Sequence, residues 1–196
     1  MSGDHRQPDY AIDPLFTARW SRRAFTEEAI STDLVMSLFE AARWAPSAKN
    51  AQPWRFLYAL RDDADWTLFQ GLLFERNRIW ANRAGALIAI LSKRVHEEED
   101  GVVSPWRTHA FDTGAAWSNL ALQASRLGLN VRAMGGFDRE RAELALAVPD
   151  DHDIHVLVAV GRPGAAADLP SHLQPLETPT PRRPLSEIVT QGRFRR

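Results

Sequence analysis

In the stretch ARWSRRAF, Arg19 and Arg23 stand four residues apart with Ser21 between them. If that stretch is helical, both guanidinium groups share one side with a hydroxyl close by. Such a donor set suits a phosphate, although a solvated polar face gives the same pattern. Asn50, in the run APSAKNAQPW, can donate and accept at once. That ability matches the edge of a heterocycle with alternating carbonyl and N–H groups, and it equally caps a turn. Gly135 and Gly136 let a ligand approach unobstructed backbone N–H groups, or simply make a turn. Other chemistries find little support. There is no cysteine, hence no thiol nucleophile and no disulfide framework. No serine sits in a GxSxG elbow, and neither GxGxxG nor GxxxxGK[ST] occurs. His152 and His155 lie beside a predicted strand where they would face opposite sides, so a surface position is expected for them and not a metal site.

Regular elements must position these residues. Leu15 to Trp20 reads as helix. Thr26 to Asp33 supplies capping residues before an apolar stripe of Leu34, Val35, Leu38, Phe39 and Ala42. Pro46 stops that helix near Ala45, and Pro53 extends Gln52, so Pro46 to Pro53 is expected as a braced loop. Trp54 to Leu60 reads as a strand, Trp66 to Phe74 as a helix, and Ala84 to Leu91 as a buried strand. Lys93 to Arg107 has no sustained amphipathic period and is expected as an exposed excursion or lid. Thr108 to Leu127 is the strongest helical pattern, closed by Gly128. A strand at Val131 to Met134, a helix capped by Asp138 and running through Ala147, and a strand at Ile154 to Val160 follow. Beyond Pro163 the Pro- and Ala-rich composition suggests an arm, with a short docking helix between Pro184 and Val189. Helices alternating with a few strands give an α/β or α+β sandwich.

Composition narrows the function classes. A chain of 196 residues, 44% of them apolar, is enough for one substantial core. The 24 Lys and Arg against 25 Asp and Glu leave a formal charge of -1, with no global field to hold nucleic acid or an anionic membrane. No apolar run approaches the roughly 20 residues that span a bilayer. The first residues, MSGDHRQPDY, lack the apolar centre of a secretory signal, and a cytoplasmic location is expected.

Taken in order, RWSRRAF, AARWAPSAKNAQPWRF, DTGAAWSNLALQASRLGLN, MGGFDRE, LVAVGRP and RRPLSEIV resemble the nitroreductase family of flavin enzymes over nearly the whole chain. The Pro-Ser-x-x-Asn-x-Gln-Pro-Trp segment is the most specific of these. The resemblance implies an α+β sandwich with a central, mostly antiparallel sheet flanked by helices. It also implies a homodimer binding two FMN molecules at the subunit interface. Residues 1–163 would form the FMN-binding core and 164–196 an extended arm of the same domain, exchanged with the partner.

By the same resemblance, Arg19 and Ser21 serve the FMN phosphate and ribityl region, and Trp20 adds backbone or stacking contacts. Arg23 falls where the family places a cation near N1 and O2 of the isoalloxazine. Pro46, Ser47, Ala48 and Asn50 line the ring, with Asn50 on its pyrimidine edge. Gly135 and Gly136 bring a backbone N–H to N5, and Arg182 or Arg183 returns to the phosphate. Hydride would pass from NAD(P)H through N5 to a small electron-poor acceptor, nitroaromatic, quinone or enone-like, in a ping-pong cycle. No residue need act as acid or base, because a fixed cation at N1 and O2 stabilises the charge that gathers there. Trp20 replaces a more usual basic or polar neighbour, and Gly135 stands where some members have Glu. Two other classes are a non-catalytic flavin carrier and a structural dimer that has lost the cofactor. Relatives on this fold also dehalogenate or fragment the flavin itself.

Overall fold

The computed structural model describes residues 6–97 and 101–194. Helix α1 (Pro14–Ala18) opens on Asp13, whose carboxylate accepts from the Leu15 N–H at 2.8 Å. Helix α2 (Thr32–Arg43) is capped by Ser31, carries Asp33 in its first turn and Arg43 in its last, and buries Val35, Leu38 and Ala42 of the expected stripe. Strand β1 (Trp54–Leu60), helices α3 (Trp66–Leu72) and α4 (Glu75–Ala81) and strand β2 (Ala86–Lys93) follow. Next come the hairpin strands β3 (Val95–Glu97) and β4 (Val103–Pro105), then helix α5 (His109–Arg126) and strand β5 (Asn130–Met134). Helix α6 (Arg139–Ala145), strand β6 (His152–Gly161) and the short helix α7 (Leu185–Ile188) complete the order.

Four strands form one sheet in the order β1-β2-β6-β5, antiparallel at every neighbouring pair. Strand β2 is central and covered on both faces. Leu87, Ala89 and Leu91 pack with Phe25, Leu72, Trp80 and Ala142, on the side of α3, α4 and α6. Ala86, Ile88 and Ile90 pack with Val35, Leu38, Leu120 and Ala124, on the side of α2 and α5. Burial on two sides is why this strand reads as an unbroken apolar run instead of an alternation. The fold is the α+β sandwich that was expected.

Several elements differ from the sequence reading. The first helix stops at Ala18, since Arg19 is extended (φ -73°, ψ 125°), so Arg19 and Arg23 do not share a helical turn. The expected helix at Trp66 to Phe74 ends at Leu72, because Leu73 leaves the helical conformation to bridge Phe137, and a further helix, α4, starts just beyond it at Glu75. The charged excursion holds the β3–β4 hairpin, whose three-residue strands are too short for a periodic pattern to register. Strand β6 begins at His152, and its pairing with β2 shifts between Ile90 and Leu91, leaving His155 as the extra residue of a bulge. The segment after Pro163 is partly core: Leu169 and Leu173 are buried with Phe25, and every residue from Thr178 to Phe194 is exposed.

Candidate functional site

The Arg19 segment is gripped by its own chain. Glu177 accepts from the backbone N–H of Arg23 at 2.9 and 3.0 Å and of Ala24 at 2.9 Å. Arg132 of β5 donates to the Ser21 carbonyl and lays its guanidinium 5.7 Å from the Trp80 ring. Arg22 stacks on Trp20 at 4.6 Å. Burial, then the neighbouring Arg6 and Arg182, hold Arg19 below its ordinary pKa. Burial and Arg23 do the same to Arg132, against the opposing pull of Glu177. Cations that disfavour one another's charge in a half-buried setting are relieved by an anion between them. Of the two arginines in the arm, Arg182 is the one whose charge acts on Arg19. Arg183 is exposed beside it.

Gly136 lies against α4. Its carbonyl accepts from the Phe74 N–H at 3.2 Å and from Asn77 Nδ2 at 2.9 Å. A Cβ there would meet Asn77 Nδ2 at 2.6 Å and Arg76 Nη2 at 3.0 Å, so a larger residue would have to displace the ends of these two flexible side chains. Gly135 is exposed, and a Cβ there would meet nothing within 4 Å. Among the described residues, none beyond its chain neighbours crowds that position, which leaves room for a ligand to approach.

The loop from Pro46 to Pro53 is strained. Lys49, Asn50 and Gln52 have φ of 49°, 55° and 47°, a left-handed run without a glycine. Ser47 Oγ accepts from the Gln52 N–H at 3.0 Å, and Gln52 Nε2 donates to the Asn50 carbonyl at 3.1 Å. Asp112 Oδ2 accepts from the Ala48 N–H at 3.3 Å. Pro46, Ala48 and Asn50 are exposed and Ser47 is half-buried. Left-handed non-glycine residues cost about 1–3 kcal/mol each and persist where the surroundings demand that shape.

The structure ties Ser21 to Arg132 of β5, Arg23 to Glu177, Arg19 to Arg182 of the arm, and Gly136 to Asn77 of α4. It holds Pro46 to Asn50 elsewhere, at the start of α5. Among the described residues, no hydrogen bond, ion pair or ring contact joins the two groups. No group of three or more His, Asp or Glu side chains among the described residues could hold a metal ion. No helix among them is long and apolar enough to cross a membrane.

Residues 16–77 and 67–162 match the sequence model described as the Nitroreductase family. The chain belongs to the nitroreductase family. A Streptomyces coelicolor relative, of the NADH dehydrogenase/NAD(P)H nitroreductase type, is 30% identical over 92% of this chain and 95% of its own. An NADH dehydrogenase of Thermus thermophilus is 28% identical over 81% of this chain and 89% of its own. Among solved structures, an oxidoreductase containing FMN superposes with a TM-score of 0.95 at 40% identity, covering 100% of this chain and 98% of the other. A nitroreductase from Desulfovibrio desulfuricans in complex with FMN gives a TM-score of 0.69 at 25% identity, covering 94% and 100%.

In this nitroreductase-family chain, sequence reasoning passed over Arg76 and Asn77, which form the floor under Gly136. Their helix α4 is too short to announce itself by periodicity. Glu177 and Arg132 were missed because their partners are backbone groups more than a hundred residues away. A cluster of one buried serine and two half-buried histidines also escaped notice: Ser92 Oγ lies 2.7 Å from His109 Nδ1 and 2.6 Å from His155 Nε2. The bulge in β6 turns His155 towards Ser92, correcting the expectation of an outward-facing histidine.

Proposed function

We propose that this chain, an FMN-dependent NAD(P)H oxidoreductase of the nitroreductase family, reduces a small electron-poor acceptor in a ping-pong cycle, as a homodimer whose two FMN sites are each shared between subunits. When bound, FMN supplies the hydride relay between NAD(P)H and a nitroaromatic, quinone or enone-like acceptor. The donor set fits that cofactor. Arg19 and Arg182 present convergent positive charge for its phosphate, with Ser21 and Trp20 beside them for the ribityl chain. Arg23, its backbone fixed by Glu177, holds a positive charge for the pyrimidine edge. Gly135 leaves its backbone open, and the carbonyl bonds of Gly136 to α4 fix that turn. These groups bind, orient and stabilise charge, and none has to move a proton.

The observation that carries the dimer is that, among the described residues, no hydrogen bond, ion pair or ring contact joins the two candidate halves in one chain. Pro46, Ser47, Ala48 and Asn50 complete a site on Arg19 and Gly136 only if a second copy supplies them. Large apolar side chains stand ready for such an interface: Trp44 is 73% and Phe111 82% exposed, on α2's C-terminal cap and on α5. The core, residues 1–163, would be completed by the exposed outer part of the 164–196 arm reaching across the partner. The test is the absorbance spectrum of purified protein, with mass by light scattering, followed by anaerobic NADPH and NADH. A yellow dimer that bleaches with at least one of them is expected. A yellow protein that neither nucleotide bleaches is a carrier, and a colourless protein that takes up no FMN overturns the reading.

A further inference from the structure

Asp112 is the sole buried carboxylate among the described residues, 4% exposed. Taking a carboxylate out of water is costly unless its oxygens are hydrogen-bonded. Its Oδ2 accepts from Thr108 Oγ1 at 2.9 Å, from the Ala48 N–H at 3.3 Å and from Trp106 Nε1 at 3.4 Å. The bond with Thr108 lies within the first turn of α5 and would by itself be a local closure of that helix end. The other two donors have no part in such a closure. One belongs to the strained loop and the other to the residue that ends the β3–β4 hairpin.

Trp106 is gripped from further sides. Its backbone N–H donates to the Arg94 carbonyl at 2.7 Å, and its ring lies 4.8 Å from His96 of β3. Lys49 Nζ sits 6.0 Å from the same ring, so the residue at φ 49° in the loop faces the indole of the hairpin. A cavity of about 240 Å³ runs along the seam, lined by Ala51, Pro53, Arg55, Lys93, His96 and Trp106 among others.

We propose that Asp112 is a positioning residue that latches the Ala48–Gln52 loop to Trp106, so that Lys49 and Trp106 together form a wall on the acceptor's approach. This rests on the reading that Pro46 to Asn50 lies against FMN. The loop holds three left-handed residues without glycine and would relax if released. A single acceptor oxygen shared between the loop's amide and the hairpin's indole makes each segment's position depend on the other.

The test uses full-length protein and the variants Asp112→Asn, Asp112→Ala and Trp106→Phe. Amide hydrogen exchange is read over residues 46–53 and 95–106, with β2 and β6 as internal references. Asp112→Ala should speed exchange about tenfold in both segments and leave β2 and β6 unchanged; Asp112→Asn, which keeps one oxygen acceptor, should restore part of the protection. Trp106→Phe removes the indole donor and should loosen residues 46–53 about threefold, although the substitution lies in the other segment. That variant decides the matter if Asp112→Ala fails to fold. With a nitroaromatic acceptor, Asp112→Ala should raise KM about tenfold and Asp112→Asn about threefold, with kcat within twofold of wild type in both. Loosening confined to one segment, or an unchanged KM with both segments loosened, overturns the latch. If wild-type protein takes up no FMN, the flavin reading fails, and the exchange of Trp106→Phe still upholds or overturns the coupling.

Discussion

The segment from Arg19 to Ala24 is clamped by its own chain, with Glu177 on its amides and Arg132 on the Ser21 carbonyl. The loop from Pro46 to Gln52 has few ties: it is largely exposed, bends through three left-handed residues, and meets the rest of the chain through Asp112, Trp106 and Arg55. The first arrangement holds charges in a set place before any ligand arrives, which lowers the ordering cost of binding. The second stores strain on an outward face, the state of a segment shaped for contact with something beyond this chain. In the proposed dimer, one half of the site would be prepared in each subunit and the other half offered to a neighbour.

The largest expected effect tests the clamped half. Arg19→Ala removes a charge-assisted phosphate contact, worth about 1.5–3 kcal/mol, so FMN affinity should fall about ten- to a hundredfold. Titration of apo-protein with FMN measures it, with far-UV circular dichroism confirming the fold. Unaltered affinity would mean that the convergence of Arg6, Arg19 and Arg182 is not a phosphate site.

A smaller effect, of opposite sign, is expected in the loop. Lys49→Gly relieves a left-handed conformation costing about 1–2 kcal/mol. Added backbone freedom takes back about 0.5–1 kcal/mol, and the loss of an exposed cation–π contact about 0.5 kcal/mol. The apo-protein's stability in urea should therefore change by between about -0.5 and about +1 kcal/mol, centred slightly above zero, while turnover falls. A clear loss of stability would show that the loop is not strained, and the contrast between the two regions would lapse.

The smallest effect concerns neither half. His155 is held below its ordinary pKa by burial, with His109 and Arg139 adding to the effect and Asp153 opposing it. The Ser92 hydroxyl has one proton to donate, so it donates to one of the two imidazoles and accepts from the other. The unfolded chain takes up a proton near pH ~6.5, before the folded chain does, so stability is full above that value. It declines as pH falls from there towards the lower folded pKa and levels off below it. Urea midpoints measured across this window should drop on acidification, and His155→Gln should flatten the decline. An equal slope in that variant would assign the pH dependence to other groups.

The local elements were legible in the sequence where a pattern ran long enough to register. The stripe of α2 and the 18 residues of α5 with Gly128 behind them repeat a helical period over several turns, and β2 shows as an unbroken apolar run of strand length. Short elements were not: α4 and the β3–β4 hairpin lie below the length at which periodicity speaks, and the inner arm looked like linker because Leu169 and Leu173 are isolated apolar residues in a Pro- and Ala-rich run. The motif residues were legible as types, but not as neighbours.

The sequence by itself determined the composition of the site, since the choice of Arg, Ser, Asn and Gly at those positions, and the resemblance they carry, is a property of residue identity and order. Only the tertiary structure decided that Arg182 acts on Arg19, that Glu177 and Arg132 hold the first segment, and that Asp112 ties the loop to Trp106. Contacts between residues so far apart along the chain depend on how the sheet aligns its strands and where a bulge turns a side chain. Those outcomes are fixed by packing over the whole core and by the hydrogen bonds of the backbone, which leave no repeating mark in the sequence.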